Sequence, residues 1–180
     1  MPPSSFDRHR FTVLAYCGQF YLQDLEAHGV WMRSHAEDDQ HPPAGWTEEA
    51  VYVHRIGVQP HSIAIGTARS DMVETTLLFH PTAPMASLEE ADHVVEADIE
   101  LPTGDLAVYG PADGPGQERH VNVAAGRYRV RVSYTPSAPP ASEHDDSEPG
   151  DHLHYRMDIW PTGSPAALAV LKQGQRLWAG

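Results

Sequence analysis

The alternation of side chains in residues 126–134 constrains the fold of this chain more than any other feature. In Gly126-Arg-Tyr-Arg-Val-Arg-Val-Ser-Tyr134, apolar residues take every second position and arginines take the positions between them. Successive side chains of a strand point to opposite faces of a sheet, whereas a helix distributes them around its axis. The segment therefore predicts a strand with one buried face and one charged face.

Two further segments repeat this period of two. Residues 93–101 alternate apolar residues with acids, and residues 152–160 alternate apolar residues with two histidines, an arginine and an aspartate. An arginine stripe and an acid stripe favour antiparallel sheets, each with one dry and one charged face. Turn-forming residues separate eight or nine such segments, a spacing typical of β-sandwiches. We therefore predict an all-β fold, an antiparallel β-sandwich of eight or nine strands.

The organisation of the chain is simple in this interpretation. Residues 11–23 predict a first strand, and Thr47 followed by two glutamates predicts the N-terminus of one short helix that reaches about Ile56. A chain of 180 residues is long enough for one well-cored domain. We predict one domain over residues 1–180, with a tail at 1–10 and an acidic, proline-rich loop at 136–150.

The charge balance restricts the partners. Twelve Lys and Arg oppose 25 Asp and Glu, which gives a formal charge of −13. Such a surface repels nucleic acid and anionic membrane and attracts basic proteins. We therefore expect a basic protein partner, no direct nucleic-acid contact and no membrane contact. No stretch resembles a signal peptide or a membrane span, so we expect a cytoplasmic protein. A single cysteine, Cys17, cannot form an internal disulfide.

Two groups of acids are candidates for binding such a partner. Alternate carboxylates on a strand lie about 7 Å apart, close to the phosphate spacing of one DNA strand, so they can imitate a nucleic acid. The alternative is a solvated acidic face, or ion pairs between these acids and the arginine stripe. The candidates on the strand are Glu96, Asp98 and Glu100, and those in the loop are Glu143, Asp145 and Asp146.

The sequence contains only weak patterns for a metal site or a catalytic residue. A strand would project His152 and His154 from one face about 7 Å apart, as a cupin-like metal site requires. No recognisable spacing supplies further ligands, so the two histidines are weak metal candidates and we expect no cofactor. Cys17 does not lie in a turn motif that presents a nucleophile, so no catalytic residue is assigned.

The order of several motifs resembles a known family. Residues 13–24 contain Tyr-x-x-Gln-Phe-x-Leu-x-Asp, with a tryptophan shortly after it, Trp31 or Trp46. Together with residues 101–108, 125–132 and 155–161, this pattern resembles the competence protein J (ComJ) family, which includes the inhibitor of the DNA-entry nuclease of bacterial competence. The resemblance implies a small acidic β protein that binds a nuclease or related toxin and blocks it, without catalytic residues.

We therefore expect a non-enzymatic acidic binding protein, an inhibitor or immunity factor for a nuclease or related toxin. In this hypothesis the net negative field attracts the basic partner and the candidate carboxylates cover its active site. Trp31 and Trp46 are either interface anchors or core residues. Two alternatives stay open at this point. One is a metal- or small-molecule-binding β-barrel enzyme, and the other is a structural or oligomeric module that pairs its exposed strands with another copy.

Overall fold

A computed structural model describes residues 7–35, 43–114, 116–137 and 152–175, and eleven strands lie within these ranges. The strands are β1 (Asp7–Leu14), β2 (Gln19–Gln23), β3 (Ile56–Gln59), β4 (Ser62–Gly66), β5 (Met72–Phe79), β6 (His93–Leu101), β7 (Asp105–Tyr109), β8 (Arg119–Asn122), β9 (Gly126–Pro136), β10 (Leu153–Pro161) and β11 (Ala169–Lys172). One α-helix, α1 (Leu25–Ser34), follows β2. Short turns of 3-10 or π-helix span Tyr16–Gly18, Pro43–Gly45 and Ala50–His54.

The strands form two sheets. Sheet A has six strands in the order β1-β5-β10-β9-β6-β11, and sheet B has five in the order β3-β4-β2-β7-β8. One buried cluster contains side chains from both sheets, including Phe20 and Leu22 of sheet B and Val130 and Tyr155 of sheet A. The structure thus confirms the all-β sandwich. It differs in one respect from purely antiparallel sheets, because β5 and β10 run parallel. Alternation predicts the faces of a strand but carries no information on its direction.

The predicted first strand is two strands in different sheets, which raises the count above eight or nine. The break lies between β1 and β2, where Cys17 and Gly18 adopt φ of 57° and 68°. Consecutive residues in the left-handed region reverse the backbone, and the chain crosses from sheet A to sheet B. At the other end of β1, the strand begins at Asp7, so residues 7–10 belong to sheet A rather than to a tail.

The helix lies in a different place from the predicted one. Asp24 caps α1 by accepting a hydrogen bond from the Ala27 amide at 3.1 Å, and its other carboxylate oxygen accepts from the amide and hydroxyl of Thr103. The predicted helix at 47–56 is one short π-helical turn that ends at Arg55, whose φ is 60°. Within the described residues, no helix has the length and apolarity to cross a membrane.

Candidate partner-binding surfaces

The acid stripe and the arginine stripe lie side by side on the outer face of sheet A. The register of β6 with β9 places each acid opposite an arginine: Glu96 opposite Arg131, Asp98 opposite Arg129, and Glu100 opposite Arg127. Glu96 accepts from Nε of Arg131 at 2.7 Å and from Nε of Arg129 at 3.2 Å. Asp98 accepts from Arg129 Nη1 at 2.9 Å, and Glu100 pairs with Arg127. The stripes therefore neutralise each other within the sheet.

Two connections cover most of this ion-pair network. The carbonyl of Pro84 accepts from Arg131, and the carbonyls of Ala166 and Ala167 accept from Arg129. The side chains of Glu96 and Asp98 are consequently only 13% and 17% exposed.

The expectation of three exposed carboxylates on this strand is thus wrong for Glu96 and Asp98, while Glu100 is 50% exposed. Alternation predicts which face a side chain takes, but not whether another segment of the chain crosses that face.

The second set of predicted acids, Glu143, Asp145 and Asp146, lies outside the described residues. The two strands that flank this set, β9 and β10, are described, and their ends next to the set lie at one end of the sandwich. β9 finishes at the end where β10 begins, because the two strands are antiparallel neighbours. The chain therefore leaves and re-enters the sandwich at the same end.

The two metal candidates lie on and beside β10. Nε2 of His154 lies 3.0 Å from the hydroxyl of Thr76, and its Nδ1 lies 3.8 Å from the carboxylate of Glu74. Partial burial lowers the pKa of His154, which favours the neutral imidazole in this hydrogen bond. Among the described residues, no group of three or more His, Cys, Asp or Glu is arranged to hold a metal ion.

The net charge resides in the connections rather than in the strands. The eleven strands contain eight of the 12 Lys and Arg and seven of the 25 Asp and Glu, so they carry a net +1. The rest of the chain contains four basic and 18 acidic residues and carries a net −14. The negative charge therefore lies outside the strands, not on the sheet faces.

Many of these acids lie at one end of the sandwich, where β2, β3, β5, β6, β8 and β10 begin. The ends of the two sheets meet here, since the amide of Ala15 donates to the carbonyl of Asp71 and that of Thr67 donates to the carbonyl of Gly18. We call it the acidic end. Acids in the described connections at this end are Glu48, Glu49, Asp71, Glu89, Glu90, Asp92, Asp113 and Glu118. The basic residues in the same connections are Arg55 and Arg69, and Arg119 and Lys172 lie at the adjoining ends of β8 and β11.

Most of the acidic end is open to solvent. Glu48, Glu49, Asp71, Glu89 and Glu90 are all exposed. Two of the three arginines are already paired, one with Asp92 and one with Asp113. Glu100 lies at the opposite end, where its carbonyl is 3.0 Å from Nδ1 of the histidine in the β3–β4 turn. The structure therefore separates Glu100 from the acidic end.

Aromatic side chains border the acidic end on the sheet B side. The rings of Tyr21 and Tyr109 lie on adjacent strands with centroids 5.1 Å apart, and the Tyr109 hydroxyl donates to Gln23 at 3.0 Å. Burial raises the pKa of Tyr109 to about 12, so this hydroxyl keeps its proton at neutral pH. Tyr16, in the turn before β2, is 56% exposed.

A cleft of about 270 Å³ adjoins these tyrosines. It is lined by Cys17, Gly18, Gln19, Trp46 and Val51. The indole of Trp46 donates to the side chain of Gln19 at 2.6 Å, and this contact fixes the ring over the start of β2. Cys17 is exposed at the edge of the cleft. This surface was not among the predicted sites, although the polar and aromatic residues at positions 19, 21 and 23 alternate with buried Phe20 and Leu22.

Comparisons with known proteins support the fold. No known protein family and no curated protein matches the chain in sequence. Two solved structures are similar in fold. ComJ from Bacillus subtilis, described as the inhibitor of the DNA degrading activity of NucA, matches with a TM-score of 0.59 and 10% identity over 88% of this chain and 100% of that one. The protein described as crocagin biosynthetic gene J matches with a TM-score of 0.56 and 14% identity over 87% and 98%. The chain therefore has a ComJ-like fold.

Proposed function

We propose that this chain is a non-enzymatic acidic binding protein that inhibits a nuclease or a related toxin by covering its active site. Two findings support the proposal: a fold shared with an inhibitor of DNA degradation, and a net charge of −14 outside the strands. The concentration of acids at one end is the observation that carries it. Enzymes that hold a phosphate backbone use basic side chains, and an acidic surface attracts and occupies them.

In this proposal the acidic end is the contact surface. Its exposed carboxylates, with Glu143, Asp145 and Asp146 in the connection from β9 to β10, supply the attraction. Glu96 and Asp98 have a structural role in this proposal, because Arg129 and Arg131 pair with their carboxylates. Charges at the rim of an interface mainly change the association rate and its dependence on salt.

The test begins with the purified protein as bait in its native lysate, at low and at high salt. We expect a basic nuclease or toxin to be retained at low salt, released at high salt, and inhibited when this protein is added back. Failure to retain any protein whose activity falls on addition of this chain would contradict the proposal.

Charge reversal then tests the surface. The acidic-end variant carries Glu48→Lys and Glu49→Lys, and a loop variant carries lysine at the three acids of the β9–β10 connection. The matched control for the acidic-end variant carries Glu26→Lys and Glu100→Lys, which makes the same change of charge at the opposite end. We expect each acidic-end variant to lower the association rate by about tenfold at low salt. An equal loss in the control would show that net charge matters and its position does not.

A further inference from the structure

The outer faces of the two sheets differ in how much of them is open. On sheet A, connections cross the charged face and their carbonyls accept hydrogen bonds from Arg129 and Arg131. On sheet B, residues Pro43–Gly45 pass closely over β3, where a Cβ on Gly57 would lie 2.3 Å from the Ala44 carbonyl. Between β2 and β7 the side chains of Tyr21 and Tyr109 stay partly exposed. Sheet B therefore presents partly exposed tyrosine rings, whereas the Trp160 ring on the outer face of sheet A is covered by Arg131 and only 8% exposed.

This surface is continuous with the acidic end. Tyr109 is the last residue of β7, and the pKa of its hydroxyl is raised mainly by burial, then by the neighbouring Tyr21 and to a smaller extent by the carboxylate of Glu118. On the other side, Trp46 is followed directly by Thr47 and the exposed Glu48 and Glu49. Aromatic rings in the middle with carboxylates around them match the usual anatomy of a protein interface, in which aromatic anchors lie inside a polar rim.

We propose that this tyrosine surface, consisting of Tyr16, Tyr21, Tyr109 and the cleft beside Cys17, receives arginine side chains of a basic protein partner. The proposal rests on the proposed function for the existence of that partner, and it adds the place and the chemistry of contact. A guanidinium stacks on the faces of tyrosine and tryptophan rings, and its N–H groups donate to nearby carboxylates. The acidic end provides these carboxylates beside the rings.

The chemistry favours arginine over lysine. Tyr109 keeps its proton, so the surface attracts cations through ring faces and not through a phenolate. A planar, weakly hydrated guanidinium loses less on leaving water than an ammonium does and can lie flat on a ring. Arg131 already lies 5.0 Å from the centroid of the Trp160 ring in this fold, which illustrates the geometry.

The first test uses a hexa-arginine peptide as the probe and a hexa-lysine peptide as the charge control. Backbone amide resonances of the full chain are followed by NMR during titration. We expect the largest shifts at Cys17, Tyr21 and Tyr109, with hexa-lysine binding at least several-fold more weakly. Shifts at Glu48 and Glu89 without shifts at the tyrosines would overturn the inference and leave the proposed function standing. Absence of shifts at the whole acidic end would count against both.

The second test uses the single cysteine as a reporter. Cys17 is exposed, and the chain contains no other cysteine. Saturating hexa-arginine should slow the alkylation of Cys17 by at least about fivefold, whereas an unchanged rate would contradict docking beside the cleft. This measurement needs no substitution and so does not depend on the folding of a variant.

Variants separate ring stacking from hydroxyl chemistry. The double variant Tyr21→Leu, Tyr109→Leu removes both rings, and Tyr21→Phe, Tyr109→Phe retains them. Each exposed cation–π contact is weak, so we expect about a fivefold loss of hexa-arginine affinity in the first variant and little change in the second. Equal affinities in all three proteins, with matched urea unfolding midpoints, would refute the role of the rings.

Discussion

Replacement of Glu96 by alanine tests whether the acid stripe supports the fold. The Glu96 carboxylate bridges Arg129 and Arg131, and both arginines are only 7% exposed. Removing one partner of a buried ion pair costs about 3–5 kcal/mol, because a charge stays buried without compensation. Asp98 still pairs with Arg129, and Pro84 still accepts from Arg131, so we expect the lower limit, about 3 kcal/mol. For a chain of this size that lowers Tm by roughly 6–12 °C.

The matched control is Glu100→Ala, which removes the last carboxylate of the same stripe. Its pair with Arg127 is half exposed, so the cost is at most about 1 kcal/mol. Urea unfolding followed by tryptophan fluorescence measures both variants, and equal m values would show that the unfolded states are comparable. If the two variants differ from each other by less than about 1 kcal/mol, the argument from buried charge is wrong.

Three further substitutions test other parts of the structure. Asp24→Ala removes the cap of α1 and the acceptor for Thr103, and thermal unfolding should show a loss of about 3 kcal/mol. Burial lowers the pKa of His93 from 6.5 to about 4, so the unfolded chain binds this proton more readily. The contribution of neutral His93 to the free energy of unfolding is therefore fully present above about pH 6.5. It is lost, by roughly 3 kcal/mol, as the pH falls towards 4. In urea titrations across this pH range, His93→Phe should weaken the dependence of the free energy of unfolding on pH. Gly110→Ala would place a Cβ 1.9 Å from the Leu14 carbonyl, and we expect a loss of more than about 2 kcal/mol and a lower urea midpoint.

The sequence was sufficient for the faces of the strands and for one strand pairing. The period of two is a local property, so the core-facing positions of β6, β9 and β10 could be read directly from the chain. It did not predict that Arg129, Arg131 and Asp158 on the opposite faces are buried as well. The complementary stripes also identified the ion pairs of β6 with β9 as an alternative, because like charges opposite each other destabilise a sheet and unlike charges stabilise it.

The helix shows where local signals become ambiguous. Asp24 followed by Glu26 is an N-terminal signal of the same kind as Thr47 followed by Glu48 and Glu49. Gly29 weakens the helical propensity of the segment that does form the helix. Contacts distant in sequence decide between the two, since the carboxylate of Asp24 also holds the turn before β7.

The tyrosine surface could not be predicted for a similar reason. Tyr21 and Tyr109 become neighbours only because β7 pairs with β2, and no periodicity within either segment specifies that order. The covering of a sheet face by connections also depends on residues distant in sequence. The burial of Glu96 depends on residues near Pro84 and Ala166, which no pattern within β6 reveals.

The strands and the connections of this fold carry very different net charges. Adjacent strands must compensate each other's charges, so the strands stay close to neutral, whereas the connections carry −14 without a cost to the sheets. Identity of 10% with ComJ over its whole length fits this separation, because alternation can be kept while nearly every residue changes. In the function proposed above, the connections at the acidic end and the rings beside them specify the partner. Exchange of these connections between proteins of this fold should therefore transfer partner preference, whereas exchange of strand residues should change stability alone.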